Sequence, residues 1–140
     1  MEEQVLSIKQ MRHLQELGLD TSDASMYWAR VCHGSRINDN TKGKWFLSLQ
    51  KTFQTCGFTR YETLPTYTLQ DIIGKLPQYI HPFASKRIKF TWVLEKDTIA
   101  YRNIEYFYDC FKYFTDDSLI NAAYDMLCWC IENEYLETSK

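Results

Sequence analysis

The hydrophobic period changes along this chain from about 3.6 residues to about 2 and back, and this restricts the fold more than any other feature. From Ser118 to Asn133, at roughly 100° per residue, Leu119, Ile120, Ala123, Met126, Leu127, Cys130 and Ile131 fall within one arc, with Asn121, Asp125 and Glu132 opposite. That is a helix with one face for a core, and Asp116 and Asp117 place negative charge at the positive end of its dipole. From Arg87 to Leu94 the pattern alternates: Ile88, Phe90, Trp92 and Leu94 interleave with Arg87, Lys89, Thr91 and Val93. Glu95, Lys96 and Asp97 then turn the chain into Thr98 to Tyr101, which predicts a β-hairpin.

Two further helices are marked by their ends. Ser7 and Gln10 have the spacing of a capping box, in which each side chain satisfies the other's backbone N–H. Gly18 can adopt the left-handed conformation that closes this helix after Leu17, with Leu19 folding back onto Leu14, so a helix is expected over about 8–17. Thr68 and Asp71 repeat the capping signal, and Pro77 stops the chain after Leu76, giving a helix of about two turns with Leu69, Ile72, Ile73 and Leu76 on one face. Residues 25–32 and 44–49 suit strands, the aromatic stretch 106–114 suits a strand with two useful faces although its periodicity also fits a helix, and 33–43 is polar and reads as a loop. The expectation is one α+β domain over 1–140, an antiparallel sheet packed against two or three helices, in the order α-β-β-α-β-β-β-α.

A chain of 140 residues, 45% hydrophobic, is long enough to bury a core without a metal or disulfide. Its apolar runs are all shorter than the roughly 18 residues a membrane span requires, and its first residues are acidic where a signal peptide is basic. Five cysteines, Cys32, Cys56, Cys110, Cys128 and Cys130, are odd in number and form no disulfide framework, so a cytoplasmic protein is expected.

Several chemistries lack their residues. No glycine-rich phosphate loop occurs, and Gly43-Lys44 lacks the neighbours that would make one. Cys128 and Cys130 stand two apart on a helix, about 200° around its axis, so their sulfurs cannot share a tetrahedral zinc. Cys32, His33 and Cys56 are nucleophile or base candidates without a local signature. Neither an enzymatic activity nor a cofactor is expected.

Charge has a direction along the chain. The net charge is -2, but residues 30–60 hold Arg30, Arg36, Lys42, Lys44, Lys51 and Arg60 against Asp39 alone, while residues 105–140 are acidic. Basic residues beside Tyr27, Trp28, Trp45, Phe46 and Phe53 are the ingredients for stacking a base and neutralising a phosphate. Tyr27, Arg30, Arg36, Lys42, Lys44, Trp45 and Lys51 are therefore candidate ligand- or partner-binding residues, with the helix starts at Ser7 and Thr68 as further anion donors. The same residues also suit a solvated basic edge. Ten tyrosines and four tryptophans support a different surface. Tyr101, Tyr106, Tyr108 and Tyr113 cannot all fit one core, which makes them candidates for a protein interface or self-association by edge pairing of the 98–114 strands.

Several segments resemble small uncharacterised proteins of prophages and mobile elements in gut bacteria of Bacteroides type. They are Ser7 to Gln10 with Leu14 to Leu19, Ala24 to Trp28, Tyr67 to Pro77 and, most specifically, Tyr124 to Glu132. The resemblance covers both ends and the centre and is weakest from Gly34 to Thr63. It implies a bacterial or phage cytoplasmic origin and brings no activity, cofactor or site residue with it. The expected function is that of a non-enzymatic accessory protein binding a host or phage macromolecule, most simply a protein; the alternative is a binder of a nucleotide or other anionic small molecule through 27–60. Macromolecule binding requires an exposed aromatic patch, and metabolite binding a pocket on which Arg or Lys converge.

Overall fold

The computed structural model describes residues 4–33, 44–49, 60–83, 87–103, 105 and 109–138, excluding the side chains of residues 32, 33 and 60. Among these residues three helices, α1 (Ile8–Glu16), α2 (Leu69–Lys75) and α3 (Leu119–Glu132), accompany seven strands. The strands are β1 (Met26–His33), β2 (Phe46–Ser48), β3 (Arg60–Thr66), β4 (Tyr79–Ile80), β5 (Phe90–Leu94), β6 (Thr98–Asn103) and β7 (Asp109–Thr115). The chain is α+β, and the expected elements occur in the expected order. β3 and β4 are additional, and the strands divide between two antiparallel sheets, ordered β2-β1-β3 and β4-β5-β6-β7.

The helix ends follow the local chemistry. The Ser7 hydroxyl accepts from the Gln10 amide at 3.1 Å while Gln10 Oε1 accepts from the Ser7 amide at 2.9 Å. At the other end Gly18 has a φ of 93°, Leu19 donates to the Leu14 carbonyl and Gly18 to that of Gln15. This pair of bonds closes α1 as a Schellman motif. Thr68 and Asp71 form the second capping box, and Leu76 leaves α2 in an extended conformation ahead of Pro77. Asp71, in the first turn of α2, also accepts from the amide and the hydroxyl of Ser25, the residue before β1, so the start of one element fixes the approach to another.

Helix α3 ends differently. Tyr135 donates to the Cys130 carbonyl and Glu134 to that of Ile131, again a Schellman pattern, but the left-handed position is Glu134, with a φ of 63°.

The core lies where these pieces meet. Met11 and Leu14 of α1, Ile72 of α2, and Ile120, Ala123, Met126, Leu127, Cys130 and Ile131 of α3 pack with Tyr67, Phe90, Ile99 and Tyr101. Leu6 anchors the entry to α1. Its carbonyl accepts from Trp28 Nε1 at 2.9 Å and from the Thr66 hydroxyl at 2.6 Å, and its amide donates to the Tyr67 carbonyl. A buried carbonyl with two donors fixes α1 against the first sheet.

Candidate interaction surface

The second sheet determines what is exposed. Cross-strand partners share a face, so Trp92, Tyr101 and Lys112 lie in one row and Leu94, Ile99 and Phe114 in the next. Tyr101, Ile99 and Phe114 belong to or pack on the core, which makes this the helix side of the sheet. On the opposite side Tyr79, Thr91, Arg102 and Cys110 form a cross-strand row, and Tyr113 stands opposite Ala100.

β7 carries one residue more than β6 at a single point. Tyr101 pairs with Lys112 and Arg102 with Cys110, leaving Phe111 as the extra residue of a β-bulge. Its ring turns to the helix side, with centroids 5.5 Å from Phe90, 5.9 Å from Phe83 and 6.0 Å from Trp129. Trp129 continues the cluster to Tyr135 at 5.2 Å. Phe90 closes this cluster inward, whereas Phe83 remains 52% and Phe111 37% exposed. An aromatic lip therefore opens beside β7, and Tyr113, 62% exposed, projects from the other side of the same strand.

β7 is also an edge. It pairs with β6 alone among the described residues, so one side of a seven-residue strand has no strand partner among them. Edges of this length are usually covered, shortened or charged; here the protection consists of the bulge and Lys112. The Lys112 ammonium lies 5.0 Å from the Phe114 ring centroid.

The tyrosines proposed from the sequence separate. Tyr113 is the exposed edge residue just described. Tyr101 is not a surface residue: it is fully buried, with its hydroxyl donating to the Pro77 carbonyl at 2.7 Å, and the alternation of β6 turns it inward. Tyr106 and Tyr108 lie outside the described residues. Phe83, Phe111 and Trp129 were not singled out by sequence reasoning. The aromatic stretch 106–114 signals a strand with two useful faces, but the bulge that re-aims Phe111 is fixed by the partner strand.

The basic candidates do not assemble into one site among the described residues. Arg30 is matched in register with Glu62 on β3, its Nε and Nη2 each 2.7 Å from Glu62 Oε2, and its guanidinium lies 4.5 Å over the Trp45 ring. Strand alternation places Tyr27 on the opposite face from Arg30. Lys44 is exposed just before β2. Arg36, Lys42 and Lys51 lie outside the described residues. The amides three residues after Ser7 and Thr68 are already used in capping boxes. A groove of about 480 Å³ runs past the starts of α2 and α3, floored by Val5, Met26, Leu69, Leu119 and Ile120, and none of the described residues lining it is charged.

The helix thiols part as the spacing requires. Burial pushes Cys128, against Tyr124, up to about 11, and Cys130, whose thiol is 3.9 Å from the Tyr101 hydroxyl, up to about 12. Such thiols are protonated and poorly nucleophilic at neutral pH. Among the described residues no group of three or more His, Cys, Asp or Glu side chains could hold a metal, and no helix is long and apolar enough to cross a membrane. Comparison with protein-family models, curated proteins and solved structures gives no match for the chain.

Proposed function

We propose that this chain is a non-enzymatic accessory protein, of the phage or mobile-element kind its segments resemble, that works by binding another protein. The partner adds an extended segment to β7 and seats a side chain on the aromatic lip. The observation that carries this reading is the seven-residue edge strand with Phe111 and Tyr113 exposed on its two sides and Phe83 beside it. Strand addition draws affinity from main-chain hydrogen bonds and specificity from alternate side chains, and such an edge supplies both. Anion binding through 27–60 has less support, because Arg30 is already neutralised by Glu62.

The test is a selection of displayed peptides on the intact protein, followed by amide hydrogen exchange with the selected peptide bound. Protection concentrated in 109–115, lost when alternate peptide amides are N-methylated, is the expected result. A footprint elsewhere, or binding indifferent to N-methylation, refutes the reading.

A further inference from the structure

We infer that the segment β7 accepts is acidic at its centre and apolar on either side, and that it comes from another protein and not from a second copy of this chain; the inference rests on the strand-addition reading above. Lys112 is the middle residue of β7. Its register with Tyr101 directs it to the helix side, beside Phe111 and Phe114. No carboxylate among the described residues lies within ion-pairing distance of it.

A second copy is a poor occupant. In an antiparallel pair of identical strands related by a two-fold axis, the central residue meets itself, so full-length pairing of β7 with β7 sets one Lys112 ammonium against another. Sliding by two residues, the smallest shift that keeps side chains on their own faces, relieves this contact only by shortening the ladder. The Phe111 bulge adds a local kink that a straight symmetric pairing must accommodate in both copies.

A foreign strand has no such conflict. A carboxylate placed opposite Lys112, which has no carboxylate partner among the described residues, gives it a cross-strand ion pair. The partner residues two positions away on either side share that face. Across the bulge one lies opposite Asp109, next to the Phe111 ring and Phe83, where an aromatic ring extends the existing edge-to-face cluster, and the other lies opposite Phe114, where an aliphatic group packs. The intervening residues face Cys110 and Tyr113 on the open side. The recognised pattern is therefore aromatic-x-acidic-x-aliphatic in extended form.

Two synthetic heptapeptides of that pattern, one with glutamate and one with lysine at the centre, are titrated at up to millimolar concentration into the full-length protein, with amide chemical shifts of 109–115 followed by NMR. The glutamate peptide is expected to bind about three- to tenfold more tightly, Lys112→Glu to reverse the order, and Lys112→Gln to remove the difference. Equal affinities with shifts on β7 overturn the acidic preference while leaving strand addition intact. No shifts on β7 with either peptide overturn both. A concentration-dependent dimer whose β7 amides are protected without peptide overturns the choice of a foreign partner.

Discussion

Replacing Tyr101 by phenylalanine isolates one hydroxyl in the core. The ring stays, with its packing against Trp129, while the bond to the Pro77 carbonyl at 2.7 Å is lost and that oxygen keeps no replacement donor of the same geometry. A neutral hydrogen bond contributes about 1 kcal/mol net, and leaving the acceptor of half-buried Pro77 unsatisfied adds up to about 1 kcal/mol, the low end of the cost for a fully buried group. The Cys130 thiol is a weak partner and adds little. Tyr101→Phe should therefore lower stability by about 1–2 kcal/mol, a fall of about 3–7 °C in Tm for a chain of this size. Urea unfolding followed by tryptophan fluorescence gives the shift in midpoint, and the slope m should not change, because the surface exposed on unfolding is the same. Tyr113→Phe is the control: its hydroxyl stands on an open face, and its change should stay within about 0.5 kcal/mol. If the two variants behave alike, the division between a core tyrosine and an edge tyrosine is wrong.

Two further results are expected. Burial raises Cys128 to about 11 and Cys130 to about 12, whereas unfolded thiols ionise near about 8.5. The unfolded chain thus sheds protons that the folded chain keeps, so their contribution is complete below about pH 8.5 and is lost as pH rises through about 11 and 12. Unfolding free energies from urea titrations between pH 8 and 10 should fall by up to ~1 kcal/mol per pH unit for each thiol, and Cys130→Ala should flatten the slope. Glu134 occupies the left-handed position that closes α3, so Glu134→Gly should raise stability by about 0.5–1 kcal/mol in the same assay, and a loss would contradict this account of the helix end.

The parts of this fold written in neighbouring residues are legible in the sequence. Both capping boxes, the Gly18 closure and the face of α3 depend on residues within a turn of one another. β3 is not, because Glu62 interrupts its alternation and Pro65 argues against a strand; the proline is accommodated on an edge, paired with Tyr27. β4 has two residues and no periodicity to read. The split into two sheets depends on which strands pair across long separations. The surface divides in the same way: that some tyrosines must be exposed follows from their number, but Tyr101 and Tyr113 are assigned by register.

The spare residue in β7 has a consequence for how this strand can change in length. A regular strand that gains or loses one residue exchanges the faces of everything on one side of the change. Here the phase step already exists at Phe111, between Cys110 and Lys112. Deleting Phe111 would let Cys110 and Lys112 follow one another in ordinary alternation, with Arg102 and Tyr101 still opposite them and neither side inverted. The position is thus a built-in slack point, where a one-codon loss removes an aromatic ring from the surface and leaves the rest of the ladder in register.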